Sequence, residues 1–365
     1  MNIGIINHFG NIESGRVKGG GTNHLYRLVQ LWRKKGEIVK LLNKNVISFS
    51  LISMIHESIN ILFSKNYLEN ENFDIILVGS IYPPDFIFGL KSFLKLRKPV
   101  IIYFHHIPPP LTFHPIRRGL LRVITNIGYT KLILSISKIF NFGIFLDQPE
   151  EYNIGSAKIF KDEDSVIVMH KSQVDSVDLK NDKINDFDIL VLSRVSKNKG
   201  TGDIINVMKI VREKNLKLVH AGDIGNEKYY TKLIKKIKKL NLESQITFLG
   251  YVTEDEKEIL YKKAKIFLYP SYEEGWSLAV MDAAFYGVPI VAYDLQAYSY
   301  LKGNLFKVTP GNVKELAEAI EKCLNNKEIR EKYVKNAIEE VLKYDYEKIA
   351  EYQLNVFRNF IDESS

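Results

Sequence analysis

From residue 187 onward, short apolar runs alternate with helix-patterned segments, and this repetition leaves few folds open. "FDILVLSRV" (187–195), "LKLVHAGD" (216–223), "QITFLGYV" (245–252), "IFLYPS" (266–271) and "VPIVAYDL" (288–295) have strand length. Between them "GTGDIINVMKIVREKN" (200–215), "NEKYYTKLIKKIKKLNL" (226–242) and "EDEKEILYKKA" (254–264) carry helical spacing, and at least two further helices close the chain. Such apolar runs are buried on both faces, and repeated βα units bury them in a parallel sheet covered by helices. The first part repeats the pattern more loosely. "NIGIIN" (2–7), "FDIILVGS" (73–80) and "PVIIYFHH" (99–106) read as strands, and "NHLYRLVQLWRKKG" (23–36) as a helix with Gly36 as its stop. The polar "DLKNDKINDFD" (178–188) separates the two series. The expectation is an α/β chain of two doubly wound, Rossmann-like parallel-sheet domains, residues 1–180 and 181–344.

The 365 residues are enough for two such domains. One cysteine, Cys323, rules out an intrachain disulfide and fits a reducing compartment. The start, "MNIGIINHFG", lacks the basic region of a secretory signal. The longest uncharged stretch, "PVIIYFHHIPPPLTFHPI" (99–116), holds five prolines and three histidines and is no spanning helix. A cytoplasmic location without a transmembrane segment is expected. Charge is uneven. Residues 1–150 carry 18 Lys/Arg and 9 Asp/Glu, which covers the whole net charge of +8. That suits an anionic partner, although a lysine-rich solvated surface would look the same. No zinc finger, ribonucleoprotein motif or obvious recognition helix is spelled, so no nucleic-acid partner is expected.

Ligands of doubly wound sheets bind beyond the carboxyl ends of the strands. That rule gathers Gly19–Gly21, His105 and His106, Arg194–Lys199, Gly222 and Ser271–Gly275 at one central cleft. Gly20 and Gly21 precede the first long helix, where glycine lets a ligand approach the backbone; an ordinary loop is the plain alternative. His105 or His106, stiffened by the prolines that follow, could donate to a hydroxyl or move a proton, or be structural. Arg194 and Lys199, five residues apart across a strand-to-helix loop, suit a diphosphate or a merely solvated basic loop. Gly222 suits close approach of a nucleotide or a plain turn.

The densest signal is "SYEEGWSLAVMDAAFYGVP" (271–289). Ser277 reads as the cap of a helix that Gly287 stops, with Pro289 just after. The amides near Trp276, Ser277 and Leu278 would then be free to hold a phosphate. Glu274 and Gly275 stand just before the helix, where a carboxylate accepts from sugar hydroxyls. Asp282 lies roughly 7–8 Å further along the axis, within reach of a ribose. Two carboxylates at opposite ends of a ligand, with a helix dipole on the phosphates between, describe a sugar-nucleotide site. An acidic helix start that favours the dipole is the bland alternative, and Glu273 reads as a solvated neighbour.

Residues 187–357 resemble the nucleotide-binding half of the family 4 retaining glycosyltransferases, the "glycosyl transferases group 1", which have the GT-B fold. The resemblance rests on an ordered set: Ser193-Arg194, Lys199-Gly200, Gly222, "FLGYV" (248–252), Pro270-Ser271, Glu274-Gly275, Leu278, and an acid eight residues after Glu274. "YDYEKIAEYQLNVF" (344–357) resembles the family's closing helix, which implies that about residues 345–365 rejoin the first domain. Gly20 and Gly21 resemble the family's glycine loop, and His105 and His106 its acceptor-side histidine region. The resemblance implies that Arg194 and Lys199 hold the diphosphate, Glu274 the donor sugar, the second acid the ribose, and Val252 the base. Where the family usually has glutamate, this chain has the shorter Asp282. The implied reaction is retaining transfer of a hexose from a UDP- or GDP-linked donor, with His106 as a further catalytic candidate, without metal, cofactor or protein nucleophile. "KDEDS" (161–165) reads as solvated surface rather than a metal motif.

The implied acceptor is a glycan or a lipid-linked glycan. "RRGLLRVITNIGYTKLILSISKIF" (117–140) could dock peripherally on anionic lipid, or be a core helix and strand with a basic outer side. Rival classes are a sugar-nucleotide epimerase on the same fold and a non-enzymatic binder of anionic ligands. A nicotinamide dehydrogenase would need a glycine fingerprint after a strand, which this sequence lacks.

Overall fold

The computed structural model describes residues 1–8, 10–11, 16–17, 20–42, 51–63, 72–104, 120–146, 159–161, 187–344 and 346–364. The chain divides into two compact units, Met1–Val166 with Asp345–Ser365, and Ile167–Tyr344.

The first unit runs β1 (Asn2–Ile6), a two-strand hairpin of β2 (Gly10–Asn11) and β3 (Arg16–Val17), α1 (Gly20–Lys34), β4 (Ile38–Leu41), α2 (Leu51–Phe63), β5 (Ile75–Val78), α3 (Pro83–Leu96), β6 (Val100–Phe104), α4 (Leu120–Ile139), β7 (Gly143–Leu146) and β8 (Ile159–Lys161). Six strands form a parallel sheet in the order β4-β1-β5-β6-β7-β8. Its core joins Ile6, Ile76, Val78, Ile102 and Ile144 to Phe86, Phe88 and Ile133. Beyond β1, Asp85 of α3 accepts from the His8 amide at 2.8 Å and lies 2.6 Å from its ring Nδ1, while the Ser80 hydroxyl donates to the same carboxylate.

Several elements differ from expectation. α1 begins at Gly20, so Gly20 and Gly21 lie in its first turn rather than in a loop before it. First-turn residues owe no i−4 hydrogen bond, which makes glycine tolerable there. Residues 120–139 form one helix, not a helix and a strand. α2, "LISMIHESINILF", was not legible because Ile52, Ile55, Ile59, Leu62 and Phe63 face outward, so its apolar residues mark no core-facing stripe. α3 opens on Pro83 and Pro84, which read as breakers but occupy N1 and N2, where no N–H is needed.

The second unit runs β9 (Ile189–Leu192), α5 (Thr201–Ile210), β10 (Leu218–Ala221), α6 (Glu227–Lys239), β11 (Ile246–Gly250), α7 (Glu254–Lys263), β12 (Ile266–Tyr269), α8 (Leu278–Phe285), β13 (Ile290–Tyr293), a 3-10 helix (Gln296–Leu301), β14 (Phe306–Val308), α9 (Val313–Asn325) and α10 (Lys327–Val341). All six strands are parallel, in the order β11-β10-β9-β12-β13-β14. The chain starts at the centre, winds out through β10 and β11, and returns beside β9 to build the other half. The winding reverses between β9 and β12, which opens a crevice where their two loops diverge. Helix starts are set locally: Thr253 and Glu256 form a capping box on α7, and Asn226 caps α6.

His220 of β10 is buried, packed at 5.1 Å against the Phe248 ring. Burial pulls its pKa down to about 4. An unfolded chain binds that proton near pH 6.5, so folding stability is complete above that value and is lost as pH falls towards 4. The expected loss is about 3 kcal/mol, measured by urea unfolding across that range, and His220→Phe flattens the dependence.

The last helix, α11 (Tyr346–Ser364), belongs to the first unit. Phe357 meets Trp32 of α1 edge-on at 5.3 Å, Gln353 accepts from the Tyr103 hydroxyl at 2.8 Å, and Arg358 donates to Glu37 at 2.7 Å. Among the described residues, no helix is long and apolar enough to cross a membrane.

Candidate sugar-nucleotide site

Two loops meet at the crevice of the second unit. One follows β9 and carries Arg194 and Lys199. The other follows β12 and carries Ser271 to Ser277. Two contacts lock them together: the Tyr272 amide donates to the Asn198 carbonyl at 2.8 Å, and the Ser271 hydroxyl to the same carbonyl at 3.5 Å. Gly200 is held at φ +67, and a Cβ there would sit 2.0 Å from the Pro270 carbonyl oxygen. Below, the Asp203 carboxylate accepts from the Tyr272 hydroxyl, and from the Tyr293 hydroxyl at 3.0 Å. Tyr272→Phe is expected to cost about 1.5–3 kcal/mol, a hydrogen bond to a charged group, readable in chemical denaturation.

Lys199 pairs directly with Glu274. The two side chains are only 18% and 9% exposed. Burial works against the ammonium, but the Glu274 carboxylate outweighs it and holds the Lys199 pKa above the ordinary value, while Arg194 nearby pulls the other way. Tyr269 completes the pair. Lys199 Nζ lies 3.4 Å from its hydroxyl, and burial followed by the charge of Glu274 pushes that phenol up to about 12. Arg194 is exposed and, among the described residues, has no carboxylate partner.

Ser277 stands at the cap position of α8 but does not cap it. Its backbone is left-handed, φ 61 and ψ 81, and its side chain makes no cap hydrogen bond. A capping side chain needs an extended backbone to turn back onto the first-turn amides. Those amides therefore keep no side-chain partner, with the positive end of the helix dipole facing the loops. A non-glycine residue held left-handed costs about 1–2 kcal/mol, and such strain gathers at functional sites. Trp276, next to it, stacks on Tyr300 at 4.8 Å and meets Tyr344 edge-on at 5.7 Å.

Asp282 lies inside α8 and is 6% exposed. It and Glu274 share a neighbour. Burial first, then Glu274, then Asp282 raise the pKa of Tyr300 well above its ordinary value. Gly222 does approach something closely, but it is the protein's own chain: at φ +141, a Cβ there would lie 2.0 Å from the Ser193 carbonyl oxygen. Its amide donates to the Gly250 carbonyl at 2.6 Å, which ties the ends of β9, β10 and β11 together. Val252, buried, follows β11 at the far edge of the sheet.

The structure thus brings Lys199, Glu274, Ser277 and Arg194 to one place, with Gly275, Trp276 and Leu278 on the same loop. Gly20 and Gly21 belong to the other unit. His105, His106, Arg117, Arg118 and most of "KDEDS" lie outside the described residues. Sequence reading missed the tyrosines. Tyr269, Tyr298 and Tyr300 lie near Glu274, and among the described residues the buried Tyr298 hydroxyl has no hydrogen-bond partner. Tyr269 had a signal, as the last residue of a strand at the switch point; Tyr298 and Tyr300 sit in a 3-10 turn that no pattern announced. Among the described residues, no group of His, Cys, Asp or Glu gathers that could hold a metal.

Comparison with known proteins finds similar chains. The family profile of "Glycosyl transferases group 1" matches residues 177–340. An uncharacterised glycosyltransferase of Methanocaldococcus jannaschii is 30% identical over 175 residues, 47% of this chain and 44% of that protein. A 2-deoxystreptamine N-acetyl-D-glucosaminyltransferase of Niallia circulans is 24% identical over 281 residues, 72% of this chain and 70% of that protein. The chain therefore spans less than half the length of the archaeal relative. HepE of Anabaena, crystallised with UDP-glucose, superposes with a TM-score of 0.74 at 17% identity, covering 98% of this chain and 100% of that one. At that identity the likeness speaks for the fold, which is GT-B. Residues 177–340 are thus similar to the group 1 glycosyltransferases.

Proposed function

We propose that the protein is a retaining, metal-independent hexosyltransferase that moves a sugar from a UDP- or GDP-linked donor to a glycan or lipid-linked acceptor. The Lys199–Glu274 pair at the switch point, beside an uncapped helix start, carries this reading. The donor diphosphate sits on the first-turn amides of α8, with Arg194 and Lys199 as its cations. Lysine has three N–H donors, so Lys199 keeps Glu274 while holding a phosphate oxygen. Glu274 is thereby fixed with a second oxygen to accept from a donor-sugar hydroxyl. Asp282 reaches the ribose from deeper in α8, and Val252 lines the base. As the bond to the leaving diphosphate breaks, charge builds where these groups already point, which is electrostatic catalysis of the oxyanion-hole type.

The acceptor binds to the first unit, where His105 and His106 stand as its candidates. The enzyme works in the cytoplasm, at a membrane face when its acceptor is a lipid. An epimerase on this fold would act on its sugar nucleotide without a second substrate. A panel of sugar nucleotides tested by thermal shift identifies the donor, because a bound donor stabilises only the native state. The expected result is a rise in Tm with one nucleotide class, and nucleoside diphosphate release that depends on added acceptor. No shift with any UDP- or GDP-sugar would overturn the proposal.

A further inference from the structure

α2 presents an unusual face. Ile52, Ile55, Ile59, Leu62 and Phe63 are 81%, 52%, 49%, 57% and 82% exposed. At 3.6 residues per turn they fall within roughly 100° of arc. The opposite side, with Glu57, Ser58 and Ile61, is buried. Scattered exposed apolar residues are ordinary, but five on one helix face mark an interaction surface.

The charges beside this face indicate what covers it. Lys91 of α3 donates to the carbonyls of Ile61 and Leu62, so the middle of α3 is fastened to the carboxyl end of α2. α3 then ends in Lys95 and Arg97, both exposed, with Leu94 just before them 49% exposed. An apolar helix face next to a basic helix end, in the part of the chain that holds the whole positive excess, complements an anionic bilayer surface. A second copy paired through the same face would set like charges against each other.

We propose that α2 is the membrane-docking element of this protein, with Ile52, Ile55, Ile59, Leu62 and Phe63 entering the acyl boundary of an anionic leaflet and Lys95 and Arg97 meeting its phosphates. This surface is separate from the 117–140 segment and deepens the proposed action on a lipid-linked acceptor, on which its biological use rests. The test is co-sedimentation of the full chain with phosphatidylglycerol–phosphatidylcholine vesicles at low salt. Wild type is expected to bind. Ile55→Glu with Ile59→Glu should lose about tenfold or more of that affinity, since charge cannot follow an apolar face into the interface. Lys95→Glu with Arg97→Glu should weaken binding to anionic vesicles and reduce its salt dependence. Circular dichroism confirms folding, and Ile55→Ser with Ile59→Ser serves if the charged pair misfolds. Absence of wild-type binding, or undiminished binding by the α2 variants, overturns the proposal. So does a wild-type dimer that the Ile55/Ile59 variant converts to monomer without any vesicle binding. The donor thermal shift, run on the same samples, separates the two claims. A wild type that binds donor but no vesicles counts against docking alone, and one that binds vesicles but no donor counts against the proposed transfer alone.

Discussion

Lys199→Met is expected to lower turnover by about 10²–10³, the loss typical of one preorganised donor to a developing anion. It should also destabilise the second unit by about 3 kcal/mol, because Glu274 is left buried without its cation. Glu274→Gln should likewise impair transfer, through the donor sugar rather than the diphosphate. The combination separates structure from chemistry. Lys199→Met with Glu274→Gln removes both charges, so most of the stability returns while activity does not. Denaturant unfolding and acceptor-dependent nucleotide release measure the two quantities independently. Full activity in either single variant would remove the pair from the site. Equal stability in single and double variants would mean that the pair is not coupled.

Gly222→Ala should be the most damaging change of one methyl group. The new Cβ would lie 2.0 Å from the Ser193 carbonyl oxygen and 3.2 Å from the Arg194 amide nitrogen, both backbone, so nothing nearby can yield. Gly200→Ala meets the Pro270 carbonyl in the same way. Each is expected to cost about 2–5 kcal/mol, adding overpacking to a left-handed backbone. Each should weaken donor binding as well, because the displaced loops carry Arg194 and Glu274. Gly225, three residues beyond Gly222, is the internal control. A Cβ there meets nothing within 4 Å, and Gly225→Ala should stay within about 0.5 kcal/mol of wild type. Similar melting temperatures for Gly222→Ala and Gly225→Ala would contradict the packing described here.

The second unit was largely legible because its strands are apolar on both faces and its helices carry clear caps and stops. "IFLYPS" and "FDILVLSRV" announce β12 and β9, and Gly287, at φ +71, ends α8 as a stop glycine should. Arg194, Lys199 and Glu274 could be placed because each follows such a strand. What the sequence hid is conformational. Serine before a helix reads as a cap, yet Ser277 takes the left-handed conformation and leaves the helix start open. A glycine after a strand reads as room for a ligand, yet the room at Gly222 is filled by Ser193. That Lys199 and Glu274, 75 residues apart, form one buried pair is tertiary information that no local pattern carries. In the first unit, α2 escaped notice because five of its apolar side chains point away from the core, so no core-facing stripe could be read.

The central claim is that this pair and the start of α8 hold a nucleoside diphosphate. Calorimetric titration of UDP and of GDP into the wild-type chain and into Lys199→Met tests it most directly. One of the two nucleotides should bind saturably to wild type, and roughly tenfold to a hundredfold more weakly to the variant, the worth of a charge-assisted hydrogen bond. Equal affinity in both proteins, or no binding of either nucleotide to wild type, would contradict it.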